Sequence, residues 1–197
     1  MPEVLTAELL LDVYRQGCFP MARGRDSDLV HLFSPDPRGI IPLDTFHVPR
    51  SLRKAVRGGR FEIRVDTAFE AVIRACGEPA PDRPETWLNE GLIQLYLDLH
   101  RRGFAHSVET WRDGLLVGGL YGVSQGAAFF GESMFSRVTD ASKVALVALV
   151  DRLRRGGYRL LDTQYVTDHL IRFGAREVPR EEYMALLREA LGAQASF

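Results

Sequence analysis

The stretch that most narrows the fold of this chain is a pair of alternating segments separated by Asp113-Gly114. "AHSVETWR" (105–112) and "LLVGGLYGV" (115–123) flank this dipeptide. Asp-Gly between two alternating segments strongly predicts a β-hairpin, because both turn positions require residues that tolerate positive φ. "AAFFGES" (127–133) has the composition of a third strand. The sequence therefore predicts an antiparallel meander of three strands.

Segments with helical periodicity surround this meander. An amphipathic helix is predicted over 90–102, and a long helix over 140–155 ends before Gly156-Gly157. "YRLLDTQ" (158–164) is typical of a buried strand, and short helices follow over about 167–172 and 181–191. The order α-β-β-β-α-β-α is that of a GNAT-type acetyltransferase core, which by analogy holds an acyl donor where its central strands part.

The first third of the chain is less regular. It reads as a helix over 6–16, proline-rich turns and short extended pieces over 18–49, and a short helix beginning near Arg50. "FEIRV" (61–65) alternates like a strand, and a helix to about 76 is predicted, capped by Asp66 or Thr67. The loop "GEPAPDRPET" (77–86) is a candidate boundary. The predicted class is α+β, with a small N-terminal α+β domain over 1–60 and a GNAT-like domain over 61–197.

Composition excludes several classes of protein. The chain has 197 residues, of which 46% are hydrophobic and 26% charged, as in ordinary globular proteins. No run of 18 apolar residues predicts a membrane helix, and no basic segment followed by an apolar core predicts a signal peptide. Cys18 and Cys76 form no CxxC pair and are interpreted as reduced thiols. We therefore expect a cytoplasmic protein, and by default a monomer.

Known metal and cofactor motifs are missing from the sequence. The five histidines have no pair at i, i+3 or i+4, so we expect no metal. The P-loop and GxGxxG do not occur.

One basic run stands out despite a net charge of −1. Residues 50–64 contain six arginines or lysines and one acid, Glu62. Such a run is either a solvated helix face or a contact for a phosphate backbone.

Polar residues end two of the predicted strands. Glu132 ends the third strand, and Asp162 and Gln164 lie two apart in "LLDTQ", on the same face. The Gln164 NH2 group is expected to donate to Asp162, leaving its oxygen to accept from an amine. This arrangement suits aminolysis of an activated ester, because about a tenth of an α-amine with a pKa of about 7.7–8.0 is neutral at pH 7. Strand-end or capping carboxylates are the alternative reading of both acids.

Aromatic and sulfur side chains surround Glu132 in the sequence. Phe129, Phe130, Met134 and Phe135 either line a pocket for an apolar side chain or belong to the core.

Five segments together carry a family resemblance that runs from about residue 9 to residue 187. They are "GCFPMA", "FSPDPRG", "TWLNEGLIQLYLDLHRRGFAHSVETW", "LVGGLYGVSQGAAFFGESMFSRVTDASKVAL" and "LLDTQYVTDHLIRFGAREVPREEY". With them the chain resembles the leucyl/phenylalanyl-tRNA–protein transferase family. The resemblance implies transfer of Leu or Phe, with Met as a further candidate, from aminoacyl-tRNA to protein N-termini bearing Arg or Lys, which marks them for N-end-rule degradation. It also implies that the N-terminal domain over 1–60 contacts tRNA, and that the GNAT-like domain over 61–197 is catalytic and uses no metal and no cofactor.

The resemblance also assigns roles to residues. Asp162 would orient Gln164, Gln164 would accept a proton from the attacking amine, and Glu132 would line the same site. Trp87 would lie near the terminal adenosine. The remaining assignments are a donor side-chain pocket (Leu120, Phe129, Gly131, Leu149) and a tRNA contact (Arg50, Arg53, Lys54, Arg57).

Two departures from the family pattern concern the N-terminal part. Many members carry Trp after "FP", near the adenosine, where this chain has Met21. A longer N-terminal segment with an LLALGGDL-like stretch is also trimmed here. Weaker stacking of the base is expected, or Met21 covers only the pocket edge.

Two other functions compete with this interpretation. An acetyl-CoA-dependent acetyltransferase needs a glycine-rich pyrophosphate loop before the long helix, and "SRVTDASK" has none. A non-catalytic RNA- or degron-binding module would retain the basic run but has no need of the Asp162–Gln164 pair.

Overall fold

A computed structural model of the chain describes residues 5–79 and 85–197. In chain order, the helices are α1 (Ala7–Arg15), α2 (Arg50–Arg57), α3 (Phe69–Cys76), α4 (Glu90–Arg101), α5 (Ala141–Arg155), α6 (Asp168–Ile171) and α7 (Arg180–Leu191). The strands are β1 (Phe19–Ala22), β2 (Val30–Phe33), β3 (Arg38–Ile40), β4 (Glu62–Val65), β5 (Ala105–Arg112), β6 (Leu115–Gln125), β7 (Ala128–Ser136), β8 (Leu160–Gln164) and β9 (Arg176–Val178). In these two ranges no helix is long and apolar enough to cross a bilayer.

A seven-stranded sheet in the order β4-β5-β6-β7-β8-β3-β9 organises the molecule. Neighbouring strands are antiparallel except β7 and β8, which are parallel and joined through α5. Strands β1 and β2 form a separate two-stranded sheet. The predicted class, α+β with a mixed and mostly antiparallel sheet flanked by helices, is confirmed.

The Asp113-Gly114 turn forms as predicted. Their φ angles are 54° and 76°, so both turn residues adopt the left-handed region that a two-residue hairpin of this type requires. The flanking strands pair from Ala105–Val123 to Arg112–Leu115. The meander β5-β6-β7 is therefore set by local sequence.

Helices cover both faces of the sheet. One apolar cluster takes side chains from α1, α3, α4 and α7, including Tyr14 and Tyr96. The other takes side chains from α2, α5 and α6, including Leu52, Leu149 and Leu170. The sheet thus lies between two cores, and side chains of neighbouring positions on one strand enter different cores.

Strand β3 ties the N-terminal part into the main sheet. It pairs with β8 on one side and β9 on the other. A Cβ atom on Gly39 would lie 2.6 Å from the Tyr165 carbonyl carbon, so only glycine permits this close approach to the backbone that follows β8. The sheet therefore crosses the predicted division between 1–60 and 61–197, which itself stays a prediction.

The predicted cap of α3 is wrong. Ala68 is the N-cap residue and makes no side-chain cap bond. The Glu109 carboxylate on β5 instead accepts from the backbone N–H groups of Thr67 (2.9 Å) and Ala68 (2.8 Å). A side chain remote in sequence satisfies the first amides of the helix, which periodicity along the helix cannot reveal.

Candidate active site

Glu132 lies in a β-bulge and does not end its strand as predicted. Tyr121 pairs with Ser133 and Gly122 pairs with Gly131, which leaves Glu132 as the extra residue on β7. The strand continues to Ser136. A bulge redirects a side chain, and here it turns the carboxylate toward α1, α4 and the end of β8.

Three polar side chains surround the Glu132 carboxylate. Tyr96 donates its hydroxyl to Oε2 at 2.9 Å, and Gln164 donates Nε2–H to Oε1 at 2.8 Å. The Tyr14 and Tyr96 hydroxyls are 2.7 Å apart, and both tyrosines are completely buried. The carboxylate is thus fixed by one helix and one strand that are distant in sequence.

Burial raises the pKa of Glu132 to about 7, and the negative charge of Asp162 adds to the increase. The hydroxyls of Tyr14 and Tyr96 and the amide of Gln164 oppose it by stabilising the carboxylate. A carboxyl group with a pKa near neutrality can accept and return a proton at physiological pH.

Stability should therefore depend on pH through Glu132. The folded state keeps this proton up to a pH of about 7, whereas the unfolded chain releases it near its ordinary pKa of 4.5. The folded state binds more protons in that window, so its stability falls as pH rises, by about 3–4 kcal/mol in total. Glu132→Gln should remove this loss. The free energy of unfolding of the variant, measured in urea, should therefore rise relative to that of wild type between pH 5 and pH 8. The control is Glu181→Gln, an exposed acid on α7. An equal stability difference between Glu132→Gln and wild type at both pH values would contradict the assignment.

Asp162, at the centre of β8, forms a buried ion pair with Arg38, the first residue of β3. Arg38 donates Nε–H to Oδ1 at 3.0 Å and Nη2–H to Oδ2 at 2.7 Å, and Tyr183 donates its hydroxyl to Oδ2 at 2.6 Å. Asp162 is 0% exposed and Arg38 1%. A bidentate contact and the added hydroxyl compensate the desolvation of both charges.

Gln164 contacts Asp162 differently from the prediction. Its backbone N–H, not its side-chain amide, donates to Asp162 Oδ1 at 2.7 Å, and its φ is 60°. The side-chain amide goes to Glu132. The predicted Gln-to-Asp side-chain bond is therefore wrong, because the left-handed backbone turns the Gln164 side chain away from the face on which Asp162 lies. Among the described residues, no donor contacts Gln164 Oε1.

The site lies where β7 and β8 separate. Their pairing runs from Ala128–Leu160 to Phe130–Asp162 and stops there, although both strands continue. Glu132 and Gln164 stand just beyond the last pair, and the hydrogen bond between their side chains spans the gap. The separation opens a cavity of about 670 Å³, which Glu132 and Thr163 line; Gln164 is not among its described lining residues.

Several predicted pocket residues line this cavity and others do not. Leu120, Gly131, Glu132 and Leu149 line it, with Met134 and Phe135 from the quoted aromatic segment. The predicted lining role of Phe129 is not observed: it is fully buried, with its ring centroid 5.4 Å from that of Phe197. Phe130 packs on Tyr14 at 4.8 Å, in the opposite core. Alternation along β7 explains this, since the two rings point to different faces and neither faces the gap.

Trp87 and Met21 lie outside the described lining of the cavity. Both are partly buried against the core that contains Tyr14, and the neighbouring Ala22 donates its N–H to the Trp87 carbonyl at 3.0 Å. A second hollow of about 460 Å³ begins beside them at Arg23 and shares Pro79 with the cavity. The two predicted adenosine-binding residues thus lie on neighbouring segments of the chain, outside the described lining of both hollows.

The basic run separates into two parts. Arg50, Arg53, Lys54 and Arg57 follow i, i+3, i+4, i+7 spacing on α2 and are exposed; we call them the basic stripe. Leu52 on the opposite side of α2 is buried in the core that contains α5. Arg64 instead pairs with Glu62 and lies over Trp111, so it is not part of the stripe.

Sequence reasoning missed four residues of the site: Tyr14, Tyr96, Arg38 and Tyr183. Periodicity marks both Tyr14 and Tyr96 as core positions of amphipathic helices, and it carries no sign that their hydroxyls face Glu132. Arg38 lies in the segment "FSPDPRG" that contributes to the family resemblance, and this was the one sign in the sequence that pointed to it. In the described part of the chain, no group of three or more His, Cys, Asp or Glu residues is placed to hold a metal ion.

Comparison with known proteins gives a consistent result. A family model described as leucyl/phenylalanyl-tRNA protein transferase matches residues 40–188, and one described as the N-terminal domain of that transferase matches residues 3–36. Leucyl/phenylalanyl-tRNA--protein transferase of Paramagnetospirillum magneticum is 62% identical over 98% of this chain and 92% of that protein. The proteins of the same name from Phenylobacterium zucineum (60% identity; 95% of this chain, 85% of that protein) and Maricaulis maris (59%; 97% and 88%) are similar.

A solved structure titled as that of L-PGS from Bacillus licheniformis aligns with a TM-score of 0.48 and 12% identity, over 81% of this chain and 66% of that chain. A likeness at this level does not identify a fold. The family match and the near full-length relatives do identify the family. This chain belongs to the leucyl/phenylalanyl-tRNA protein transferase family.

Proposed function

We propose that the cavity beside Glu132 and Gln164 is where a leucyl or phenylalanyl group passes from tRNA to the α-amine of an acceptor protein. The observation that carries this proposal is the carboxyl–amide pair of Glu132 and Gln164, whose carboxyl group lines a partly apolar cavity, in a chain of this family. Glu132, Gln164 and Leu149 all lie at the separation of β7 and β8 or against it. Enzymes of this kind need positioning more than strong acid–base catalysis, because the aminoacyl ester is already activated.

The proposed chemistry uses the free oxygen of Gln164 first. Gln164 Oε1 accepts a hydrogen bond from the attacking α-amine, whose nitrogen forms a bond to the ester carbonyl carbon. The bond from that carbon to the ribose oxygen breaks. Glu132 takes up one proton from the amine and returns it to the departing ribose oxygen. A pKa of about 7 suits Glu132 to both transfers.

The donor side chain would occupy the apolar part of the cavity. Leu120, Leu146, Leu149 and Leu161 line it, and Gly131 leaves its floor open next to the Asp162 carbonyl. An aliphatic lining favours Leu and Phe over polar side chains, because burying an unpaired polar group costs about 1–3 kcal/mol.

Two finer features belong to the same proposal. The sheet is proposed to be a GNAT-like core. The order of β5, β6, β7, α5 and β8 and the separation of β7 from β8 at the reacting groups support this. Residues 1–60 are proposed to contact tRNA, with Met21 and Trp87 near the terminal adenosine.

The basic stripe is proposed to contact the acceptor stem of tRNA. Arg53→Ala with Arg57→Ala should weaken tRNA binding and lower the slope of log K against log salt by up to about 2, because two phosphate contacts are lost. The matched control is Arg101→Ala with Arg188→Ala, which removes two exposed arginines from α4 and α7 on the opposite face of the sheet. Binding measured by fluorescence between about 50 and 200 mM salt decides. If the two double variants have the same slope, the stripe is only a solvated face.

The acceptor is proposed to carry N-terminal Arg or Lys, since a cationic group suits a site whose cavity is lined by the Glu132 carboxylate. The test follows labelled Leu from Leu-tRNA to peptides that differ only in the first residue: Arg, Lys, Ala or N-acetylated Arg. Transfer to the Arg and Lys peptides alone is expected. If none of the peptides receives Leu while tRNA still binds, the protein is a non-catalytic binding module and the proposed transfer is refuted.

A further inference from the structure

The proposed reaction gives no direct role to Arg38. This buried arginine nevertheless has a hydrogen-bond acceptor for each guanidinium nitrogen and an aromatic ring on each side. All three guanidinium nitrogens donate: Nε and Nη2 to Asp162, and Nη1 to the Gly17 carbonyl at 2.8 Å. The guanidinium lies 4.8 Å from the Phe19 ring centroid and 4.7 Å from that of Tyr183. Its plane and direction are therefore fixed from both sides and at every nitrogen.

Asp162 passes this constraint on to Gln164. Its Oδ1 accepts from Arg38 Nε and from the Gln164 backbone N–H, and its Oδ2 accepts from Arg38 Nη2 and from the Tyr183 hydroxyl. The guanidinium group thus fixes the orientation of the Asp162 carboxylate, and the carboxylate in turn fixes the backbone amide of Gln164.

Gln164 needs such a constraint because its φ of 60° is unfavourable for a residue with a Cβ atom. Backbone of this kind persists only where its surroundings hold it. The same conformation sends the Gln164 side chain across the gap to Glu132. Without it, Gln164 would continue the extended geometry of β8 and its side chain would point away from Glu132.

We propose that Arg38 is a positioning residue for the transfer reaction, which acts through Asp162 to hold the backbone of Gln164 in the conformation that aims its side chain at Glu132. This inference rests on the proposed function. Arg38 is buried and would touch neither the aminoacyl donor nor the acceptor peptide. Because it belongs to the first 60 residues, this part of the chain would complete the site in addition to its proposed contact with tRNA.

The test compares Arg38→Met and Arg38→Lys with the control Arg154→Met. Arg154 also ties the N-terminal part to the rest of the chain, through the carbonyls of Leu43 and Asp44, but has no contact with Asp162 or Glu132 among the described residues. For Arg38→Met we expect kcat to fall about 10- to 100-fold, as for a misplaced reacting group, with KM for Leu-tRNA and peptide within about twofold. Arg38→Lys keeps the charge and loses the fork, so a smaller decrease in kcat is expected. Arg154→Met should keep kcat.

A second readout does not depend on activity. In labelled wild-type protein, the backbone and side-chain amide NMR signals of Gln164 report its bonds to Asp162 and Glu132. Both signals should shift in Arg38→Met and Arg38→Lys, and neither should shift in Arg154→Met. If Arg38→Met does not fold, Arg38→Lys decides. A folded Arg38→Lys with wild-type kcat and unchanged Gln164 signals would overturn the proposal. Absence of transfer by the wild-type protein would instead refute the proposed function. The Gln164 signals would still test whether Arg38 positions Gln164.

Discussion

Replacing Gln164 by alanine should lower the single-turnover rate of leucyl transfer by about 100-fold or more, because the group that orients the attacking amine is removed. The fold should survive this change. Alanine tolerates a φ of 60° about as poorly as glutamine does, so the backbone strain is the same in both proteins. Glu132 also keeps its hydrogen bond from Tyr96. We expect the free energy of unfolding to stay within about 1 kcal/mol of wild type.

The matched control is Gln94→Ala. Gln94 is an exposed glutamine on α4 that also donates to a glutamate, Glu90, at 2.7 Å. It should transfer at the wild-type rate. Equal rates for Gln164→Ala and Gln94→Ala would remove Gln164 from the reaction, and the role of the cavity would have to rest on other groups.

Replacing Asp162 by asparagine should damage both stability and activity, which is a larger effect than the sequence suggests. Asparagine has nearly the same shape but leaves the buried Arg38 charge without its partner, which costs about 3–5 kcal/mol. The Gln164 backbone N–H also loses a charged acceptor. Urea unfolding measures the loss of stability, and transfer assayed well below the unfolding transition should still be reduced about 100-fold.

Asp151→Asn serves as the control for this substitution. Asp151 pairs with Arg155 on the exposed side of α5, where an ion pair contributes less than about 1 kcal/mol. If Asp162→Asn were as stable as Asp151→Asn, the Arg38–Asp162 pair would not hold the site together in the way its burial indicates.

Local signals predicted most of the elements correctly. The helices predicted over 6–16 and 90–102 form as α1 and α4, and Asp113-Gly114 makes the hairpin turn. Each of these features depends on a few neighbouring residues. The strands β3 and β9 were not predicted, because three residues that are held by pairing with a distant strand carry almost no pattern of their own.

The chemistry of the site was predicted less completely than its residues. Glu132, Asp162 and Gln164 do meet at the separation of β7 and β8. Their contacts differ from the expectation for two physical reasons. The bulge at Glu132 adds a residue that strand periodicity does not anticipate. The left-handed backbone of Gln164 breaks the rule that alternate residues share a face, so its amide reaches Glu132.

The measurement that tests the account most directly is a crystal structure with 3′-leucylamino-3′-deoxyadenosine, in which an amide replaces the reactive ester. The leucyl side chain should lie between Leu120 and Leu149, and the α-carbonyl should be within about 3–4 Å of the Gln164 side chain, close to hydrogen-bond reach. The adenine should lie toward Trp87. An analogue bound elsewhere, with the leucyl group outside the cavity and no contact to Gln164 or Glu132, would contradict the assignment of this cavity as the site of transfer.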